Sequence, residues 1–324
     1  MREDSVRVAG IWEPSIRAAG IAALGMLLVL PALPSVAQIP RETSCQLQAG
    51  PTRAVVRVID AETVLLDDQS EVRLIGALAP RSPDMTTGAS AWPPEQQAEA
   101  ALRELVLGSS VEVAYAEQRR DRYGRLLAHL FLNRNGEHIW VQGALLSSGH
   151  ARAYGLPGSF ACMRELLAHE NVARWSRAGL WANAAYATRR AFRTREILRQ
   201  RNTYQIVEGR VVRVAASKSR TYLNFGRDWR TDFTAGIATK LVKENPDLAG
   251  LLASLEGKRI EVRGWVEYRN GPFIEVEDPS QIAIVEDRAH PKSIAPGGPS
   301  LSSERSAPPQ KRKRPAKKPG ALDL

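Results

Sequence analysis

From Arg210 to Phe273 the sequence interleaves rings with cations: Tyr222, Phe225, Trp229, Phe233, Trp265, Tyr268 and Phe273 alternate with Arg210, Arg213, Lys218, Arg220, Arg227 and Arg230. Rings stack on flat unsaturated groups and guanidiniums hold phosphates, the two chemistries by which a barrel grips a single nucleic-acid strand. Side chains alternate across a strand, so Leu223 and Phe225 share one face and Tyr222 and Asn224 the other. Tyr222, Trp229 and Arg220 are therefore candidates for ligand contact, and Phe225, Phe233 and Trp265 for the core.

Upstream, carboxylates and guanidiniums mix in three short segments. These are Val58-Ile59-Asp60-Ala61-Glu62-Thr63-Val64, Val72-Arg73-Leu74-Ile75-Gly76-Ala77-Leu78-Ala79-Pro80-Arg81 and Asp121-Arg122-Tyr123-Gly124-Arg125. Arginine presents a planar fork of donors that matches phosphate oxygens. A carboxylate beside it either ligates a hard cation or neutralises the arginine. The same residues also admit a purely structural reading, with Arg73 paired to Glu62 or Asp60, Arg125 paired to Asp121, Leu78 filling core and Arg81 in solvent. Zinc chemistry has no basis here: there is no C-x-x-C, and His129, His138, His150, His169 and His290 are too scattered for an H-E-x-x-H site.

The elements that position these residues follow from periodicity. Arg53 to Ile59, Thr63 to Leu66 and Glu71 to Ile75 read as three strands. Pro93-Pro94-Glu95 opens a helix with Ala98, Ala101, Leu102, Leu105 and Val106 on one face and Gly108 as its stop. Val111 to Tyr115 and Leu126 to Leu132 are strands, and Trp140 to Ser148 and Phe160 to Ser176 helices. Asn183 to Asn202, carrying six arginines, reads as a basic helical linker. A second unit repeats the order of three strands, helix and two strands. It has strands at 205–214, 221–225 and 232–238, a helix over 240–255 broken near Pro246, and a hairpin of 258–268 with 272–276 about Asn270-Gly271.

The first unit resembles the thermonuclease, or staphylococcal-nuclease-like, family, whose signatures read V-I-D-G-D-T and R-L-x-G-I-D-A-P-E. The likeness runs from about Arg53 to Trp181 and takes in Asp121-Arg122-Tyr123-Gly124-Arg125, Gly149-His150-Ala151-Arg152-Ala153-Tyr154 and Gly179-Leu180-Trp181. It implies an OB-fold barrel with additional helices, and thus a β-rich α+β chain; by strand order, the second unit is another OB-like barrel. In this family two arginines clamp the scissile phosphate, two aspartates help hold calcium and a glutamate activates water. By position the clamp is Arg73 and Arg125. One calcium aspartate is Glu62, with Asp60 beside it; the other is Leu78, and the water-activating glutamate is Arg81. The resemblance thus implies a clamp of Arg73, Arg81 and Arg125 for phosphate, with calcium-dependent cleavage lost or strongly reduced. The alternative is an active metal-dependent nuclease in which Asp84 or Asp121 supplies the missing carboxylate. A scaffold docking a protein or envelope partner is a third reading.

The domain plan is a signal peptide at 1–37, an extension at 38–52, the first barrel at 53–182, the linker at 183–203, the second barrel at 204–287 and a basic tail at 288–324. Arg17, the apolar run Ile21 to Leu33 and Ser35-Val36-Ala37 form the signal pattern, which implies a periplasmic or secreted protein with no membrane span after cleavage; a retained membrane anchor is the alternative. Export agrees with Cys45 and Cys162 forming a disulfide. Of the formal charge of +10, residues 291–324 hold eight basic and two acidic side chains and residues 1–37 three of each, which leaves +4 for the rest. The folded part is only mildly basic, and nucleic acid or another polyanion is the expected partner. No cofactor is expected, with calcium needed only if nuclease activity persists.

Overall fold

The computed structural model describes residues 45–81 and 92–285. The signal segment, the tail and Asp84 lie outside the described residues.

β1 (Gln48–Asp60), β2 (Thr63–Leu66) and β3 (Glu71–Leu74) form a meander. Register shifts in β1 between Val55 and Arg57 and between Val58 and Asp60 coil it enough to serve two neighbours. Those are β2 and, on its other edge, β5 (Ser110–Arg120), which pairs with β6 (Leu126–Arg134). β6 returns to β3 in parallel, Arg73 opposite Leu127, which closes a five-stranded barrel in the order β1-β2-β3-β6-β5. Val64, Val72, Val113, Leu127, Leu130 and Phe131 are buried within the core. α1 (Pro93–Val106) starts on two prolines and buries Ala98, Leu102 and Val106, spaced one turn apart.

Three short elements escape a reading by periodicity. β7 (Glu137–Trp140) continues the sheet, and β4 (Gly76–Leu78) pairs with β8 (Arg152–Tyr154) as a separate ribbon. α2 (Val141–Ser147) and α3 (Met163–Ser176) fall at the expected places, but α3 starts three residues later than Phe160, because Cys162 takes a left-handed backbone, φ 64°. Gln142 on α2 ties the barrel seam: its Nε2 donates to the carbonyls of Ile75 and Ala128, and its Oε1 accepts the Leu130 N–H. His129, fully buried beside Trp140, has its pKa driven down to about 3 by burial and is neutral at any physiological pH.

Cys45 and Cys162 are bonded across 117 residues and tie the entry of β1 to the start of α3. Because the link closes so long a loop, its loss costs about 2–5 kcal/mol. Reducing agent therefore lowers the melting temperature of the oxidised protein by roughly 4–20 °C and leaves that of a Cys45→Ser/Cys162→Ser variant unchanged, as differential scanning calorimetry will read.

The second unit closes in the same way. β10 (Tyr204–Arg210) runs on into β11 (Arg213–Ala216) as one bent strand. Its first half pairs with β14 (Arg259–Tyr268) and its second with β12 (Arg220–Asn224). β12 pairs with β13 (Thr234–Ala238), β13 runs parallel to β15 (Pro272–Val276), and β15 pairs with β14. The strand order repeats that of the first barrel, down to the single parallel pair. Asn270 and Gly271, both at positive φ, make the hairpin turn, as an Asn-Gly pair predicts. α5 (Thr239–Glu244) and α6 (Pro246–Ala253) divide at Pro246, and β16 (Ile282–Ile284) adds an edge to β14. Phe225 and Phe233 lie in the core as expected. Trp265 does not: it is 43% exposed, edge-on to Tyr154 and Tyr204 where the two barrels meet.

The basic helical linker is also corrected. Helix is confined to a 3-10 turn at Ala184–Tyr186 and the short α4 (Thr194–Leu198), while β9 (Arg189–Arg190) pairs with β10 in parallel. Ala191 and Ile197 are buried in the second core, so tertiary burial overrides helical propensity along this segment.

What joins the barrels is a buried ionic network. Glu170 on α3, fully buried, accepts from both terminal nitrogens of Arg263 on β14, at 3.0 and 3.2 Å, and from the Ala153 N–H at 2.6 Å. One turn on, Arg174 forks onto both oxygens of Glu261, at 2.8 and 3.0 Å. The Tyr204 hydroxyl donates to the Ala153 carbonyl, and its pKa is pushed up to about 12 by burial. Burial pulls the Arg263 pKa down, and the charge of Glu170 more than offsets this.

Candidate functional site

Glu62 follows the turn at the end of β1, where the Asp60 carboxylate accepts the Glu62 N–H at 2.7 Å. That turn sends the Glu62 side chain inward, to 3% exposure. Its Oε1 accepts the Ala79 N–H at 2.9 Å. Its Oε2 faces two guanidiniums, Arg81 at 2.9 Å and Arg73 at 3.5 Å. Glu62 therefore pins the loop after β4 to the barrel. Arg81, expected in solvent, has its side chain 60% exposed but its tip held by this carboxylate, whose charge raises the arginine's pKa. Arg73 is 23% exposed on β3, its guanidinium beside the same oxygen. Leu78 is buried.

Arg125 immediately precedes β6, two residues before Leu127, the partner of Arg73. Its Nε and Nη2 both reach Asp121 Oδ2, at 2.8 and 2.7 Å, while Asp121 Oδ1 accepts the N–H groups of Tyr123 and Arg125. Burial works to raise the Asp121 pKa, but these hydrogen bonds hold it below the ordinary carboxylate range. With every lone-pair direction toward its own turn in use, Asp121 is committed to shaping Arg125. Asp84 lies outside the described residues.

The second cluster stands apart, on β11, β12 and the loop 225–233. Tyr222, Trp229 and Arg220, the three contacts expected there, line one groove of about 850 Å³ together with Arg213, Arg227, Arg269 and Phe273. Arg220 is bound bidentately by Glu275, at 3.1 Å to each oxygen, and Glu275 also takes Arg269 at 2.8 Å. The hydrogen bonds with Glu275, then its charge, raise the Arg220 pKa.

The inter-barrel network was beyond sequence reasoning, because its partners lie about ninety residues apart. No local sign existed: Glu261 and Arg263 alternate with Ile260, Val262 and Val266 as on any strand with one wet face, yet both are buried.

Residues 71–183 match the sequence model of the family described as Staphylococcal nuclease homologue. The match starts at β3, downstream of Asp60 and Glu62. A thermonuclease of Staphylococcus hyicus is 27% identical over 135 residues, 41% of this chain and 76% of that protein. An uncharacterized protein of Methanocaldococcus jannaschii is 38% identical over 63 residues, 19% of this chain and 30% of its own length.

Proposed function

We propose, from the premise that residues 71–183 form a staphylococcal-nuclease-like domain on an OB barrel, that this chain binds nucleic acid through phosphate contacts and does not cut it with calcium. The observation that carries this reading is the clasp on Glu62. Calcium takes about 6–8 oxygen ligands, mostly carboxylates, carbonyls and water. Here one carboxylate is spent on two guanidiniums and an amide, the next position is the apolar Leu78, and Arg81 puts a fixed cation where a water-activating carboxylate would be needed. The residues present do not fit calcium. Arg73, Arg81 and Arg125 outnumber the two carboxylates paired with them, Glu62 and Asp121, which favours an anion over a cation, and the guanidinium fork matches a pair of phosphate oxygens.

Export belongs to the same reading. The Cys45–Cys162 bond suits an oxidising compartment, and no helix among the described residues is long and apolar enough to cross a membrane.

Labelled DNA and RNA, single-stranded and duplex, incubated with the protein in calcium, in manganese or in chelator test the proposal. No metal-dependent cleavage is expected above that of an Arg73→Ala variant, together with binding that weakens steeply with salt. Arg73→Ala and Arg125→Ala each weaken binding and lower the salt slope by about one unit. Cleavage in calcium that both substitutions abolish overturns the reading in favour of an active nuclease.

A further inference from the structure

The groove on the second barrel has three properties of a stacking site, and none depends on the arginines of the first barrel. Its floor is built by alternation: Arg220, Tyr222 and Asn224 project from the same face of β12, with Arg213 opposite Asn224 and Ala215 opposite Tyr222 on β11. Gly236, opposite Tyr222 on β13, leaves room for the Phe273 ring, which a Cβ there would meet.

Its wall holds a presented ring. Trp229 is 51% exposed, and its loop is fixed by its own bonds: the Thr231 and Asp232 N–H groups reach the Asp228 carbonyl, and the Asp232 carboxylate accepts the Asp228 N–H. Gly226 packs against that carboxylate more closely than any side chain would permit. The Arg230 guanidinium lies 4.6 Å from the Trp229 ring centre, covering part of the indole. About half of this large ring is left in water on a preformed loop.

Its charge is unevenly committed. Arg220 and Arg269 share Glu275, whereas Arg213 and Arg227 have no hydrogen-bond or ion-pair partner among the described residues. Glu267 also holds Arg269, at 2.8 Å, so the four guanidiniums of the lining meet three carboxylates, Glu275, Glu267 and Glu256, the last of which accepts the Val214 N–H. A purely apolar partner would not call for two unpaired guanidiniums in the lining.

We infer that this groove is a binding site for single-stranded nucleic acid. Bases stack on Trp229 and Tyr222, Arg213 and Arg227 take the phosphates, and the Glu275 clasp sets Arg220 and Arg269 as the rigid far edge. Duplex is excluded from it, because paired bases do not offer their faces to a ring.

The test uses the full oxidised chain and two fluorescein-labelled probes of about 12 units, within the roughly 4–16 nucleotides an OB fold covers: oligothymidylate and an abasic phosphodiester of equal length. Anisotropy is expected to show oligothymidylate bound more tightly than the abasic chain. Trp229→Ala and Tyr222→Ala each reduce that preference about tenfold and leave abasic binding unchanged. Arg213→Ser/Arg227→Ser lowers the salt slope for both probes by about two units. Arg73→Ala, which tests the first barrel, leaves the ratio between probes unaltered, so failure of either proposal is visible without the other. Equal affinity for the two probes, or a preference that survives Trp229→Ala with the melting temperature unchanged, overturns the inference.

Discussion

Arg263→Leu is expected to destabilise the protein by about 3–5 kcal/mol, because it leaves the fully buried Glu170 carboxylate facing Arg174 at 3.9 Å as its nearest remaining cation. The Ala153 carbonyl is not stranded, since the Tyr204 hydroxyl still donates to it. Glu170→Gln keeps an acceptor for the Ala153 N–H and removes the charge. The double variant Glu170→Gln/Arg263→Leu should therefore be more stable than the two single costs added together, with a coupling of roughly 0.5–3 kcal/mol. Urea unfolding measures all three. A cost under about 1 kcal/mol for Arg263→Leu would mean that the pair is hydrated and that the barrels are held by something else.

The second large effect concerns affinity. Glu62→Gln removes the carboxylate that Arg73 and Arg81 share while preserving an oxygen for the Ala79 N–H. A phosphate approaching the pair no longer competes with a buried negative charge, and nucleic-acid binding is expected to tighten about tenfold, equivalent to roughly 1.4 kcal/mol. That is within the attraction of unit charges a few ångströms apart at an effective dielectric near 20. An enzyme using Glu62 as a metal ligand responds in the opposite direction: the same substitution weakens metal binding and cleavage. Anisotropy and a cleavage assay on one variant thus separate the two readings by sign.

The fold was legible where local chemistry decides it. Asn270-Gly271 announces a tight hairpin, Pro93-Pro94 a helix start, and the repeated order of strands announces two closed barrels, both of which the pairings bear out. Alternation along β12 placed Tyr222 correctly in the groove lining. The reading failed where a distant partner decides. Trp265 has the pattern of a core residue, yet its ring meets Tyr154 across the junction, beside its own strand partner Tyr204. The arginine-rich segment has helical propensity, but β10 offered it an edge to pair with. Arg81 is exposed, as a loop residue beside Pro80 reads, but nothing local reveals that a carboxylate nineteen positions earlier would hold its tip. Cysteine, present as one pair, needed no such knowledge: the only bond available is the one formed.

The segment between the barrels has a further consequence for how the chain meets a protease. Trypsin needs an extended stretch of backbone, and an arginine-rich connector is where it usually separates two domains. Here the backbone from Arg189 to Glu208 is spoken for: β9 is a sheet edge, the Ala191 N–H is bonded to the Glu208 carbonyl, and Ile197 is buried. Cutting at these arginines first requires that part of the second barrel open, so their susceptibility reports a sub-global unfolding equilibrium and not a loose tether.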